Sequence, residues 1–384
     1  MNNIVGEVKR KRNKNDVKIL ELIQKKEAAS RVEIAEKLGI SQAAVSKRVK
    51  CLMELGYLKE NHNKNIKTNG RNAVGLEINS NLGKVLGIYF GSEEISIALS
   101  DLEGNLLSLE KKKISENKNI IKICFEMTDK YIVKEKIVKI GIAMNGIVDV
   151  QNGISIYSAS YNWNNVKIKD EFEKRYNISV VIENGVNLMA LYEKTFGMCQ
   201  KQKSFVVINI GAGVGAAVYL NGELYHGKDF GVGEIGHIPF DLSKEALICS
   251  CGNKGCIETI LSDWRIEQKI FEITGKKYSY DEIIERANNN EKEFRNIFMN
   301  LIPVFLNIVF WITTLINPEE IVIYGKINKC GDFFWRELKR KVKEGNLNKN
   351  NSLNIKSSSF DSDTIVYGAV ILALNNMFRT IWDD

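Results

Sequence analysis

Three cysteines fall within the eight residues CSCGNKGC at 249–256, and they carry the strongest chemical signal in the chain. Tetrahedral zinc needs four ligands, and His237 precedes these thiols in the pattern H-x11-C-x-C-x4-C, with glycines that let the chain turn around one ion. A redox pair needs an exposed thiol of low pKa with a resolving partner, and a C-x-C disulfide is strained. Spacing alone therefore favours a metal site over a redox pair or a simple glycine turn, with the ligands His237, Cys249, Cys251 and Cys256.

The chain that carries this cluster has 384 residues, 44% hydrophobic and 26% charged, which predicts two or three globular domains. Its start, MNNIVGEVKRKRNK, lacks the apolar segment of a signal peptide. The longest apolar run, 301–316, is shorter than the roughly 20 residues of a membrane span, and Pro303 interrupts it, so a buried helix is expected. We therefore predict a cytoplasmic protein without membrane contact. Thiols stay reduced in that compartment, and the four remaining cysteines are expected to be ordinary buried residues: Cys51, Cys124, Cys199 and Cys330.

Positive charge is concentrated in the first 80 residues, which hold 17 Lys+Arg against 9 Asp+Glu. The chain as a whole has 54 basic and 47 acidic residues, so everything beyond residue 80 carries a balance of −1. Such asymmetry is typical of a segment that binds a polyanion. A solvated basic tail is the alternative, and it is the simpler interpretation of residues 9–12 taken alone.

Three helical patterns occupy this basic segment. The first opens on Asp16 as a candidate N-cap and places three apolar residues on one face: Val17, Leu20 and Ile23. The second begins with Ser30 and Glu33 in capping-box spacing and ends at Gly39. The third follows a tight turn, with Ser41 as its cap. Two helices joined by a short glycine turn predict a helix-turn-helix unit.

The second helix of such a unit enters the major groove of DNA and reads base edges near its N-terminus. Val45, Val49 and Leu52 are expected to face inward. The predicted DNA-contacting residues of this helix are Ser41, Gln42, Ala43, Ser46, Lys47 and Lys50.

Residues 57–78 have apolar ends around a polar middle with a glycine, as expected for a β-ribbon wing. Lys67 and Arg71 lie where a wing touches phosphates or the minor groove. A small helical domain that binds another protein is the alternative. The helices, the wing and the localised charge together favour binding to double-stranded DNA.

From residue 83 the pattern changes to strands with interleaved helices. Residues 83–114 predict three strands, followed by a helix over 119–131 and a buried strand that ends in a glycine turn. Further strands and helices repeat this order in the second half of the chain. The arrangement predicts a two-lobed α/β body with a cleft between the lobes.

Residues 205–260 resemble the ROK family, which holds repressors, open reading frames and sugar kinases. The similarity is carried by NIGAGVGAAVYLNGELYHG, GVGEIGHIPFD and CSCGNKGCIET, together with the upstream stretch IENGVNLMALYEKTFG. A further stretch, NWNNVKIKDEFEKRYNISVVIEN, resembles the family's xylose-responsive repressors. The resemblance implies a winged helix-turn-helix domain at 1–80 and a two-lobed, actin-like and ribonuclease-H-like ATPase-type body at 81–384. Lobe one is then expected at about 81–185 plus the C-terminal helix, and lobe two at about 186–362.

The resemblance also implies roles for the residues around the cysteines. It makes the four-ligand cluster a structural zinc site, and a zinc-bound histidine presents its other ring nitrogen in a fixed orientation. Capping of the following helix is the alternative role for Glu258. The positions that match the family's sugar contacts are Asn184, Glu234, His237 and Glu258.

Phosphoryl transfer is predicted to be absent, because the chain departs from the kinase members of the family. Tyr89 replaces the Mg²⁺-directing aspartate of the first phosphate loop, Ala212 replaces a threonine in the second, and Tyr324 replaces a glycine on the adenosine side. The aspartate that accepts the proton of the attacking sugar hydroxyl is Gly185, and loss of a general base costs about 10²–10⁴-fold in rate.

These observations together predict a sugar-responsive transcriptional repressor of carbohydrate genes that is not an enzyme. Xylose is the leading effector by resemblance, and the partner is a palindromic operator read by a homodimer or larger homo-oligomer. Two alternatives stay open. One is a bifunctional sugar kinase that also binds DNA, with Glu183 as its base, and the other is a DNA-binding regulator without an effector.

Overall fold

The computed structural model describes residues 14–66, 73–114, 119–345, 353–358 and 363–380. In these ranges the α-helices are α1 (Lys14–Gln24), α2 (Arg31–Leu38), α3 (Gln42–Glu54), α4 (Ile120–Lys134), α5 (Ile168–Tyr176), α6 (Gly185–Thr195), α7 (Glu258–Leu261), α8 (Asp263–Thr274), α9 (Tyr280–Asn288), α10 (Lys292–Leu315), α11 (Asp332–Gly345) and α12 (Thr364–Thr380). The β-strands are β1 (Leu58–Ile66), β2 (Ala73–Ile78), β3 (Lys84–Phe90), β4 (Glu94–Ser100), β5 (Leu106–Lys113), β6 (Ile137–Met144), β7 (Ile147–Asp149), β8 (Ile154–Ser158), β9 (Trp163–Val166), β10 (Val180–Asn184), β11 (Phe205–Ile210), β12 (Val214–Leu220), β13 (Glu223–Leu224), β14 (Glu320–Tyr324) and β15 (Asn354–Ser357).

Helices α1 to α3 and the β1–β2 ribbon form the predicted winged helix-turn-helix. The capping box at the start of α2 is present, with the Ser30 backbone N–H donating to Glu33 Oε2 over 3.0 Å. Gly39 ends α2 in the left-handed region, φ 64°, which a glycine adopts without strain. Ser41 then caps α3 by accepting the Ala44 N–H over 3.2 Å. These local signals fix the turn that orients α3 relative to α2.

The prediction that Asp16 caps the first helix is wrong. Helix α1 begins at Lys14, so Asp16 lies within the first turn, where its side chain is 1% exposed. Its carboxylate accepts hydrogen bonds from the Arg48 guanidinium of α3. A carboxylate in the first turn is stabilised by the helix dipole and here also by the buried ion pair, which fastens α1 to α3.

Two five-stranded sheets, here called the first and the second sheet, repeat one pattern. The first has the order β10-β6-β3-β4-β5 and the second the order β13-β12-β11-β14-β15. In each, three strands are antiparallel and two more join in parallel. This duplication is the physical basis of the repeated strand and helix patterns in the sequence, and each sheet is the centre of one lobe.

Helices α6 and α12 pack between the sheets in a shared core that includes Ala143 of β6 and Val207 of β11. Helix α12 lies unusually close to the first sheet because glycines face it. A β-carbon at Gly141 would lie 2.0 Å from the Ala369 carbonyl oxygen, and one at Gly87 would lie 2.6 Å from the Val366 carbonyl oxygen. The backbones of helix and sheet are therefore in direct contact.

The far end of α12 packs against the DNA-binding domain. Met377 and Phe378 belong to the same buried cluster as Ile19 and Leu20 of α1. Gln24, at the end of α1, donates from Nε2 to the Leu102 carbonyl oxygen over 3.2 Å, just beyond β4. The winged helix-turn-helix therefore shares a continuous apolar core with the body.

Two features of the body differ from the sequence-based expectation. A small sheet of β7, β8 and β9 follows β6, and the sequence patterns did not predict it. Helix α10 has 24 residues, so it is longer than the apolar run that predicts it, and it is long and apolar enough to cross a membrane. Half of its most apolar 18-residue stretch is buried. Residues from Phe294 to Ile312 pack in the core of the second sheet, as predicted for a buried helix.

Candidate functional site

The four predicted metal ligands converge on one point. One ligand atom from each of His237, Cys249, Cys251 and Cys256 lies within 4.8 Å of the others. The Sγ atoms of Cys251 and Cys256 are 3.7 Å apart, and Cys249 Sγ is 3.4 Å from His237 Nδ1. Zn–S bonds of about 2.3 Å in a tetrahedron place two sulfurs about 3.8 Å apart. The side chains therefore fit a single tetrahedral metal ion.

The loop that carries the three thiols is folded by its own backbone. The Cys249 N–H donates to the Asn253 carbonyl over 2.7 Å, and isolated bridges pair Pro239 with Cys256 and Ile248 with Lys254. Gly255 has φ 68°, and a β-carbon there would lie 1.8 Å from the Asp241 carbonyl oxygen. The tight turn thus requires glycine at this position. Of the other cysteines, Cys124, Cys199 and Cys330 are buried as predicted, whereas Cys51 is half-buried, so the prediction of a buried residue is wrong there.

Three of the predicted sugar-binding side chains lie against this cluster. His237 directs Nδ1 to Cys249 and places Nε2 at 3.7 Å from Glu234 Oε2. Glu258 Oε1 lies 3.9 Å from Cys249 Sγ, and its Oε2 accepts the Val214 N–H over 3.2 Å. A metal bound through Nδ1 therefore leaves Nε2 beside the Glu234 carboxylate, and together with Glu258 these groups suit adjacent hydroxyl groups.

Burial and the neighbouring groups change the pKa of one carboxyl in this group. Burial raises the pKa of Glu234; His237 opposes this shift and the nearby Glu258 adds to it. The N-cap of α7 is Ile257, and Glu258 is the first residue of that helix. Its Oε2 accepts the Val214 N–H of β12, outside the helix, which favours the binding role over that of a helix cap.

Asn184 lies at the end of β10, in the first sheet, and caps α6. Its Oδ1 accepts the N–H groups of Val186 and Asn187, and its Nδ2 donates to the Gly146 carbonyl over 2.7 Å. Among the described residues no hydrogen bond joins it to the three side chains at the metal cluster. One Nδ2 hydrogen remains for a ligand, so Asn184 has both a structural and a candidate binding role.

Two of the positions where the chain departs from kinases, Tyr89 and Gly185, lie beside Asn145. The Tyr89 hydroxyl donates to Asn145 Oδ1 over 3.3 Å, and burial raises its pKa to about 12. A β-carbon at Gly185 would lie 3.3 Å from Ile365 Cγ2 and 3.7 Å from Asn145 Oδ1. A larger side chain at 185 would require Ile365 to shift by a few tenths of an ångström, so the position is closely packed as a glycine.

Sequence reasoning missed the pairing of Glu183 with His226, although Glu183 was considered as a catalytic base. His226 Nε2 lies 2.7 Å from Glu183 Oε2, and the two side chains are 26% and 5% exposed. Glu183 Oε1 accepts from Asn184 N and Asn187 Nδ2. Both carboxylate oxygens are therefore engaged. The sequence feature that could have pointed to His226 is its rarity, since it is one of only three histidines, together with its place in a stretch that carries the family resemblance.

The DNA-reading face predicted on α3 is exposed. Val45, Val49 and Leu52 are fully buried on the opposite face. Lys67 and Arg71, the predicted wing contacts, lie outside the described residues. The predicted contact residues on α3 are all exposed: Ser41, Gln42, Ala43, Ser46, Lys47 and Lys50.

A winged helix-turn-helix domain joined to a two-lobed α/β body is the architecture of a class of transcriptional regulators. A winged helix-turn-helix DNA-binding model matches residues 12–59, and a ROK family model matches residues 85–376. The chain therefore belongs to the ROK family, as the sequence resemblance implied.

Several curated relatives are similar over most of the chain. The xylose repressor of Caldicellulosiruptor bescii is 26% identical over 385 residues, covering 94% of this chain and 96% of that protein. The xylose repressor of Bacillus spizizenii is 30% identical over 321 residues, or 82% of each chain. The DNA-binding transcriptional dual regulator NagC of Escherichia coli is 26% identical and covers 85% of this chain and 84% of its own.

Solved structures agree in fold. A ROK family transcriptional regulator, a homolog of the Escherichia coli MLC protein, superposes with a TM-score of 0.82 at 25% identity, covering 96% of this chain and 97% of its own. A ROK family glucokinase from Streptomyces griseus, in complex with glucose and AMPPNP, has a TM-score of 0.67 at 20% identity and covers 76% of this chain and 99% of its own. The glucokinase matches in fold only, which shows that the body is shared with sugar kinases.

Proposed function

We propose that the protein is a cytoplasmic, sugar-responsive transcriptional repressor that binds an operator through α3 and the wing. One observation carries this proposal. The same chain has an exposed recognition helix and a cluster of carboxylates and an imidazole that suits sugar hydroxyls. Relatives named as repressors of xylose and N-acetylglucosamine support it. Xylose is the first effector to test, because several of these relatives carry its name.

The operator should be palindromic, because we propose a homodimer or larger homo-oligomer with two recognition helices. Half-sites are then one helical turn of DNA, or a multiple of it, apart. DNase footprinting on promoter fragments of neighbouring carbohydrate genes tests this, with and without D-xylose, D-glucose or N-acetyl-D-glucosamine. We expect symmetric protection that a sugar releases. Protection without symmetry, or symmetric protection that none of the sugars changes, would contradict the proposal.

We further propose that the metal of the His237 cluster is a structural Zn²⁺. Three thiolates and one imidazole are donors that zinc prefers, and the atom separations match a tetrahedron. The ion would hold the loop that presents Glu258 and would fix the ring of His237, so that Nε2 faces the cleft. Elemental analysis of protein purified without a histidine tag should find one zinc ion per chain.

The protein is proposed to lack phosphotransferase activity, although its body shares the kinase fold. Gly185 offers no base, and Glu183, the alternative base, is buried with both oxygens engaged. A carboxylate that already accepts three hydrogen bonds is a poor proton acceptor for a sugar hydroxyl. A coupled ADP-release assay across the same sugars should show no turnover. Turnover that disappears in Glu183→Gln would instead establish the bifunctional kinase.

A regulator that responds to no effector is distinguished by thermal unfolding. A ligand at 100 times its Kd stabilises a protein by about 2.7 kcal/mol, which is a measurable rise in Tm. We expect at least one sugar of a pentose, hexose and amino-sugar panel to give such a rise. No change with any sugar would favour the effector-independent alternative.

A further inference from the structure

The contact between Glu183 and His226 joins the two lobes. Glu183 lies in β10, at the edge of the first sheet, whereas His226 follows β13, at the edge of the second sheet. Their 2.7 Å contact therefore connects residues that belong to separate sheets and lie 43 positions apart. The Glu183 side chain is only 5% exposed and that of His226 is 26% exposed, so the carboxylate side of the contact is shielded from water.

Glu183 is adjacent to one predicted sugar contact, and His226 lies in the same loop as another. Glu183 immediately precedes Asn184, and its Oε1 accepts the Asn184 N–H over 2.8 Å. His226 lies near the start of the loop that ends at Glu234. That loop is held against β12 by the Ala216 N–H, which donates to the Gly233 carbonyl over 2.7 Å. The contact thus links the Asn184 side of the cleft to the Glu234 side.

We propose that His226 and Glu183 form an inter-lobe contact that positions Asn184 and the Glu234 loop for the effector, so that His226 is a further effector-site residue. This inference rests on the proposed sugar-sensing function. The carboxylate of Glu183 satisfies Asn184, Asn187 and His226 together, and its burial makes any lost donor costly. The contact therefore stabilises the arrangement of the lobes in which both sides of the sugar site are present.

The contact also has a pH dependence with a defined sign. The hydrogen bond to Glu183 raises the pKa of His226, and burial opposes this effect. A group whose pKa is raised by a contact stabilises that contact fully below its ordinary pKa, about 6.5 for histidine, and loses this contribution as pH rises through the raised value. Glu183 faces the ring from β10 and Asn187 of α6 is neutral. The charged residues in the loop of His226 itself are Lys228, Asp229 and, at its end, Glu234.

Sugar titrations of four single variants and one double variant test the inference. Affinities for D-xylose, D-glucose and N-acetyl-D-glucosamine are measured by calorimetry from about pH 6 to about pH 9, the range over which a raised histidine titrates. His226→Phe keeps the ring but has no donor, and we expect its Kd to rise about 10-fold or more. His226→Gln keeps a donor but has no proton to lose. It should bind nearly as well as the wild type at high pH and should lose most of the pH dependence.

Glu183→Gln and the matched control Tyr225→Phe complete the set. The double variant of residues 183 and 226 should lose less binding free energy for the sugar than the sum of the losses in the two single variants, because the two residues act through one contact. Tyr225 is an exposed neighbour of His226, and its change to Phe should leave affinity and pH profile unchanged.

The outcomes separate the two proposals. A wild type that binds none of the sugars would refute the proposed function and this inference with it. A wild type that binds a sugar, with His226→Phe unchanged in affinity and pH profile or with fully additive losses in the double variant, would overturn this inference alone.

Discussion

Alanine at position 213 should weaken sugar binding while leaving the fold intact. A β-carbon there would lie 2.9 Å from Glu258 Oε2, which is 0.5 Å inside the 3.4 Å limit of ordinary contact. The same oxygen accepts the Val214 N–H over 3.2 Å, so the carboxylate must move and this bond must lengthen. Because the displaced atom ends a flexible side chain, we expect only part of a charged hydrogen bond to be lost. That loss is about 1–2 kcal/mol, or about 5–30-fold in Kd.

Gly211→Ala provides a matched control in the same loop. No atom lies within 4 Å of a β-carbon at 211, and neither glycine has a left-handed backbone. Calorimetric titration with the sugar that stabilises the wild type measures both variants, and thermal unfolding shows that both are folded. Equal affinity of Gly213→Ala and wild type would refute the assigned role of Glu258. A similar loss in Gly211→Ala would show that the loop, and not the carboxylate, is responsible.

Three further predictions concern the metal cluster and the DNA-binding domain. Cys251→Ser should lower bound zinc and sugar response together, measured by elemental analysis and sugar release, while operator binding persists; a metal-free protein that still responds to sugar would contradict this. Asp16→Ala should remove the buried carboxylate that Arg48 contacts and lower the free energy of unfolding by about 1–3 kcal/mol, measured by denaturant titration. The control, Lys18→Ala at an exposed position of the same helix, should leave the free energy of unfolding unchanged. Gln42→Ala should change base preference by about 1–3 kcal/mol in a competition assay, whereas Lys67→Ala should weaken binding to all sequences alike; equal effects on every sequence would refute the assignment of α3 as the recognition helix.

The elements that the sequence predicted well are those with local signals. The capping box at Ser30, the turn at Gly39 and the cap at Ser41 act over a few residues, and each is present in the structure. The convergence of His237 with the three cysteines was also predictable, because ligand spacing and the two glycines restrict the loop. The repeated body followed from its patterns and from the family resemblance, and both are confirmed. The domain boundaries stay a prediction.

The features that sequence reasoning missed depend on contacts between distant segments. Asp16 has the type and position of an N-cap, but its role is set by Arg48, which is 32 residues away. The Glu183–His226 contact joins two sheets, and nothing in the linear spacing of 43 residues indicates it. The β7–β9 sheet consists of short strands with polar residues, whose pattern is too weak to separate from loops.

Helix α12 has a consequence for how the protein is made. It packs on β3 and β6 through Gly87 and Gly141, and it also supports α1 of the DNA-binding domain. The ribosome completes every described strand of both sheets before it produces α12. The winged helix-turn-helix and the first sheet therefore leave the exit tunnel before α12, which packs against both of them, has been made. A nascent chain therefore cannot complete the core that joins α1 to the body until α12 has been made and has left the ribosome.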